Sequence, residues 1–122
     1  MNYQLPQIPE RTKKPRKDGI TMVMDKGLSI QETHNFISVA EPYIDLVKLG
    51  FGTSMVTPNL KEKLAVYAEN NIPVYLGGTL FEAFLIRNCF DEYLQMIQDY
   101  GLKYVEVSDG SISIPHSEKC GY

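Results

Sequence analysis

The chain has little of several things that commonly announce a function. Cysteine occurs twice, at Cys89 and Cys120, and histidine twice, at His34 and His116. No spacing among them matches a zinc site or a redox pair, so both thiols are expected to be free and the compartment reducing. His34 falls in a helical stretch and His116 near the last residues, and surface positions are expected for both. An excess of basic residues is also missing: 12 Lys and Arg against 15 Asp and Glu give a formal charge of −3. That balance argues against a general nucleic-acid binder, which needs a clearly basic face for its phosphate contacts. No run approaches the roughly 20 apolar residues of a membrane span, and the first residues lack an apolar signal core. A soluble, cytoplasmic protein with no membrane or nucleic-acid partner is expected. Nucleophile elbows, Walker loops and cysteine–histidine metal clusters are absent as well. At 122 residues the chain is one domain at most, with room for a real core, yet about half the size of a typical barrel of roughly 250 residues.

What is present is a repeat of apolar runs that end in small or charged residues. Residues 1–18 are rich in proline and contain the one strongly basic segment, Arg11-Thr-Lys-Lys-Pro-Arg-Lys17. They read as an extended, solvated basic arm; the alternative is an arm that folds over a phosphate-bearing ligand. Ile20–Met24 reads as a buried strand ending at Asp25-Lys-Gly27. Ser29, three residues before Glu32, then opens a helix through a capping box, with Phe36, Ile37 and Ala40 on its apolar face. A strand over Tyr43–Leu49 runs into Gly50-Phe-Gly-Thr-Ser54. Thr57-Pro58 looks like an N-cap and first turn, so a helix is expected over 58–69, ended by Asn70-Asn71. Pro73–Leu76 is a short third strand, followed by Gly77-Gly78-Thr79, where Thr79 and Glu82 repeat the capping-box spacing. A helical region over 80–100 is expected to break near 88–90. A fourth strand, Lys103–Ser108, ends at Asp109-Gly110, and a last helix begins near Pro115.

Strands beginning near residues 20, 43, 73 and 103, each followed by a helix, must pair in parallel through right-handed crossovers. That leaves a doubly wound sheet or a (β/α) barrel. In both, ligands collect where the strands end, which groups Asp25, Lys26, Lys48, Gly77, Gly78, Glu106, Ser108 and Asp109. Lys48 is the unusual residue, because it interrupts an apolar run that would otherwise be buried. Alternation along a strand puts Lys48 and Glu106 on faces that can meet. Their pairing is either a structural salt bridge between strands or part of a catalytic centre. The glycine-rich loop after Lys48 is either an ordinary turn or a set of backbone and hydroxyl donors for an anion.

Several long blocks in this order resemble phosphosulfolactate synthases. The blocks are Arg11–Arg16, Gly19-Ile-Thr-Met-Val-Met-Asp-Lys-Gly27, Ile44-Asp-Leu-Val-Lys-Leu-Gly-Phe-Gly-Thr-Ser54, Gly77-Gly-Thr-Leu-Phe-Glu82 and Val105-Glu-Val-Ser-Asp-Gly110. The resemblance implies an α/β fold of the (β/α)8 TIM-barrel family, with residues 19–122 covering about the first four βα units and stopping after strand four. It implies a carbon–sulfur lyase that adds sulfite to phosphoenolpyruvate to give (2R)-phospho-3-sulfolactate in coenzyme M biosynthesis, possible inactivity of this short chain included. The other reading is a non-catalytic remnant or a stress-related protein of the same fold that binds anions or assembles. A hard cation suits the charge of such a reaction, so Mg²⁺ is the expected cofactor, with Glu106 and Asp109 as its carboxylates. Lys48, Lys26 and Asp25 are the expected catalytic residues. Gly52, Thr53, Ser54, Gly77, Gly78, Thr79 and Ser108 are the expected contacts to the substrate anions. Because four parallel strands cannot close a barrel of this type, the chain is expected to form a homo-oligomer, two copies supplying eight strands, or to aggregate.

Overall fold

The computed structural model describes residues 2–122. Its elements are β1 (Met22–Asp25), α1 (Ile30–Ala40), β2 (Leu46–Leu49), α2 (Leu60–Glu69), β3 (Val74–Leu76), α3 (Gly78–Leu85), α4 (Phe90–Asp99), β4 (Tyr104–Val105) and α5 (His116–Lys119), with 3-10 turns at Glu41–Tyr43 and Thr53–Met55. The four strands lie in the order β1-β2-β3-β4, each parallel to its neighbour. A doubly wound sheet reverses its strand order part-way and so carries helices on both faces. Here the order never reverses, and successive crossovers of one hand place the helices on one face.

The burial pattern agrees. Val47, Leu49, Val74 and Leu76 form one core with Ile37, Val66, Tyr67, Phe81, Tyr93 and Ile97 of the helices. The alternate side chains face the other way, and the register sets Met24, Lys48, Tyr75 and Tyr104 in one row across all strands. This second face is only partly covered, with Met22 43% and Tyr104 53% exposed. No helix of the described residues is long and apolar enough to cross a membrane.

Local chemistry explains where the elements begin and where the expectations fail. The capping box of α1 is present: Glu32 N–H donates to Ser29 Oγ at 3.2 Å and Ser29 N–H to Glu32 Oε2 at 2.8 Å. Ile20 lies outside β1 and is exposed, and Tyr43 belongs to the 3-10 turn Glu41–Tyr43, so both strands begin later than their apolar runs. Thr57 does not cap α2. Its hydroxyl donates to the Thr53 carbonyl at 2.7 Å, and Asn59, at φ +54°, is the N-cap instead. The expected break in the long helical region is real and separates α3 from α4. Strand β4 is shorter than expected, with two residues in the ladder, so 106–108 lie beyond it. Both cysteines are free thiols, and His34 and His116 are exposed.

The basic arm is docked rather than solvated. Arg16 Nη1 meets Asp45 Oδ1 at 2.8 Å with its side chain 5% exposed, and Lys14 Nζ meets Glu41 Oε1 at 2.9 Å. Arg11 donates to Thr21 Oγ1 and to the Tyr43 carbonyl. All of these partners precede β1 or β2, so the segment Arg11–Arg16 lies at the opposite end of the sheet from the strand C-termini. Burial alone would raise the Asp45 pKa, but the Thr21 amide and the Arg16 and Arg11 guanidiniums outweigh it and hold the carboxyl below its usual range. A depressed carboxylate adds stability that is present above its unfolded pKa of about 3.9 and is lost as pH falls through the folded value. Acid titration is therefore expected to release the arm, read as rising amide exchange at Thr21 below about pH 4. An Arg16→Ala variant is expected to show that exchange already at neutral pH.

Candidate active site

At the C-terminal ends of the strands, Lys48 and Glu106 meet. Lys48 Nζ lies 2.8 Å from Glu106 Oε2 and 3.0 Å from Oε1, with the two side chains 17% and 31% exposed. The lysine is on the half-covered face of the sheet, so its ammonium is neither buried nor free in water. What gives it room is the next strand over: a Cβ on Gly77 would sit 3.0 Å from Lys48 Cε and 3.2 Å from the Leu49 carbonyl oxygen. Tyr75, beside Lys48 in the register, completes the wall. Burial, and then the Glu106 charge, push its phenol above the ordinary tyrosine range.

Gly78, the first residue of α3, is packed more closely still. A Cβ there would lie 2.6 Å from Ser108 Cβ and 2.9 Å from Glu106 Oε1. Real Cβ atoms do not approach so near, so Gly78→Ala is expected to push the loop after β4 away and part Glu106 from Lys48. Chemical-shift changes at Ser108 and Glu106 larger than at any core residue would check this. The amides of Gly78 and Thr79 lie in the first turn of α3, where helix geometry leaves N–H groups without intrahelical acceptors. Gly77 N–H is not among the available donors, since it bonds to the Leu49 carbonyl at 3.0 Å.

The other expected site residues have different partners. Asp25 ends β1 but turns to the helix side, 2% exposed, with Oδ2 at 2.8 Å from both Lys63 Nζ and Tyr67 Oη. Its Oδ1 accepts from Gly27 N–H and Leu28 N–H at 2.8 and 2.9 Å. Burial would raise its pKa; Lys63, the two amides and Tyr67 outweigh it and hold the carboxyl low. Lys26 is exposed, its Nζ 5.7 Å from the Phe51 ring centroid. Gly52 takes the left-handed conformation at φ +69°, and the Thr53 hydroxyl turns back to the Gly50 carbonyl at 2.8 Å. Ser54 is buried with no partner for its hydroxyl and lines a cavity of about 470 Å³ between α2 and α4, away from Lys48. Ser108 donates its hydroxyl to Glu82. Asp109 pairs with Lys119 at 2.6 Å, which holds its carboxyl low. Among the described residues no three Cys, His, Asp or Glu side chains gather as a metal-ligand group.

A sequence profile of the (2R)-phospho-3-sulfolactate synthase (ComA) family matches residues 9–122. The chain belongs to the phosphosulfolactate synthase family. Among its relatives, the phosphosulfolactate synthase of Bacillus subtilis is 36% identical over 116 residues, 95% of this chain and 46% of the relative. That of Methanothermobacter thermautotrophicus is 37% identical over 114 residues, 92% and 44%. That of Methanocaldococcus jannaschii is 43% identical over 103 residues, 83% and 41%. The chain thus spans less than half the length of these phosphosulfolactate synthases. The stretch matched by the family profile spans both the Lys48–Glu106 pair and the Gly77-Gly78 turn of this chain.

Four residues of this part of the phosphosulfolactate synthase fold escape a reading of the sequence: Lys63, Tyr67, Tyr75 and Glu82. Lys63 had a signal, because it falls three residues after Leu60 and three before Val66 on the buried stripe of α2. Glu82 was legible only as a capping box with Thr79. In the structure Gly77 is the N-cap and the Glu82 carboxylate points to the loop after β4.

Proposed function

We propose that the chain supplies the Lys48 half of a phosphosulfolactate synthase site, joining sulfite to phosphoenolpyruvate. The observation that carries this is the Lys48–Glu106 pair at the strand ends, beside the open first turn of α3. In the reaction the sulfur lone pair attacks carbon three, the double-bond electrons move onto the carboxylate, and carbon two then takes a proton. A cation is needed where that carboxylate charge grows. Lys48 is placed for this role, steadied by Glu106, while the Gly78 and Thr79 amides offer donors to a phosphate or sulfite oxygen. Lys26, exposed at the same end, is the second cation and the candidate proton donor. Asp25 is assigned to the turn instead: it holds the Gly27 and Leu28 amides just after Lys26 and does not face Lys48.

Mg²⁺ commonly takes one or two protein carboxylates, with substrate and water oxygens completing its shell. Glu106, one-third exposed at the mouth, fits that demand, whereas Asp109 is held by Lys119. When bound, the ion would polarise the substrate carboxylate as a Lewis acid. A cytoplasmic setting suits the free thiols and the anionic metabolites.

The sheet is read as the first four units of a (β/α)8 barrel, its half-covered face being the barrel interior. Further strands complete it, either from a second copy or from additional chain. Sedimentation at micromolar concentration is expected to show dimers or larger species, and a cooperatively melting monomer would oppose the second-copy reading. Product formation from phosphoenolpyruvate and sulfite by a barrel completed with the remainder of the Bacillus relative tests the activity. A completed barrel that binds phosphoenolpyruvate without turnover would favour the non-catalytic, anion-binding reading.

A further inference from the structure

Glu106 has no ladder to hold it in place. The pairing of β4 with β3 ends at Val105, and the chain after it must be fixed by something other than the sheet. A single buried carboxylate reaches it from another element. Glu82, on α3 and 4% exposed, accepts from the Ser108 hydroxyl, from Gly110 N–H at 3.0 Å and from Ser111 N–H at 2.8 Å. No cation pairs with it among the described residues; its charge is met by these donors.

We propose that Glu82 is the positioning residue that sets Glu106 on Lys48, by clamping the Ser108–Ser111 loop to the first turns of α3. The spacing supports a mechanical link rather than mere packing. Ser108 is bonded to Glu82 and is also pressed against Gly78, and Glu106 touches the same glycine two residues earlier in the chain. Loop, helix start and lysine therefore form one closed chain of contacts, Glu82–Ser108–Gly78–Glu106–Lys48. Burial works against the Glu82 charge, but the Ser108, Ser111 and Gly110 donors outweigh it, so the carboxylate is the form that holds the loop at neutral pH. The inference deepens the functional reading above and rests on it only for its meaning to catalysis, not for the geometry.

The Lys48–Glu106 contact itself gives the readout, because packing lost around Glu82 alone leaves that pair intact, whereas a displaced Glu106 parts it. The test is side-chain NMR of the 122-residue chain, following the Lys48 Nζ resonance in the parent, Glu82→Gln, Ser108→Ala and Glu106→Gln. Gln keeps the size of Glu82 but presents a neutral amide to two backbone donors. The expected result is that Glu82→Gln shifts the Lys48 Nζ resonance in the same direction as Glu106→Gln, with faster exchange of the Gly110 and Ser111 amides. Ser108→Ala, which removes one donor, is expected to give a smaller shift of the same sign and serves if Glu82→Gln does not fold. A Lys48 Nζ resonance unchanged from the parent, while the two amides lose protection, would overturn the proposal, since Glu82 would then tie the loop without placing Glu106. Phosphoenolpyruvate titration of the same samples separates the two readings. A shifted Lys48 resonance with unaltered phosphoenolpyruvate affinity supports the positioning and counts against the role of Lys48.

Discussion

Lys63→Met is expected to destabilise the chain by about 3 kcal/mol or more, the loss that follows when one partner of a buried ion pair is removed. Lys63 and Asp25 are each 1% exposed in their side chains and lie 2.8 Å apart. Methionine fills the volume, so the loss is that of the charge rather than of a cavity. Asp25 keeps Tyr67 and the Gly27 and Leu28 amides, which places the effect near the lower end of the range for buried pairs. For a domain of this size that corresponds to a fall of roughly 10 °C in melting temperature. Adding Asp25→Asn to Lys63→Met is expected to recover part of the loss, because the unpaired charge is then gone. If Lys63→Met melts within a degree or two of the parent, Asp25 is carried by its other donors alone and the pair is dispensable.

Lys48→Ala is expected to have the opposite profile, with little change in melting temperature and a large change in chemistry. Lys48 is on the half-covered face, and its removal leaves Glu106 at a partly wet position where an unpaired carboxylate is tolerated. In a barrel completed with the remainder of the Bacillus relative, the rate of phosphosulfolactate formation is expected to fall about 10²–10³-fold, the usual loss when one preorganised donor to a developing oxyanion is removed. A lysine that only pairs strands would give the reverse: a loss of folded protein with an unchanged rate per folded molecule.

The parallel βα repeat was legible because its signals are local and redundant: apolar runs of strand length, the Ser29–Glu32 capping box and glycines after each strand. The Lys48–Glu106 pair was legible from alternation alone, even though β4 proved too short to include Glu106. Three things were not. That Asp25 is held on the helix side reflects a buried partner 38 positions away, Lys63, which is not visible in the run itself. The Thr57 and Thr79 caps failed because each hydroxyl or carboxylate had a competing partner, the Thr53 carbonyl for Thr57 and the 108–111 loop for Glu82. The basic arm misled because composition reports the cost of gathering like charges but not the anionic partners, Asp45 and Glu41, that await them.

The central claim is that substrate anions bind at the Lys48 end of the half-covered sheet face. Titration of the isotopically labelled chain with phosphoenolpyruvate and Mg²⁺ up to millimolar concentration, followed residue by residue by NMR, tests it most directly. Saturable shifts at Lys48, Gly78, Thr79 and Glu106 that vanish in Lys48→Ala are predicted. Shifts confined to other surfaces, such as the cavity between α2 and α4, or equal shifts with and without Lys48, would contradict the account.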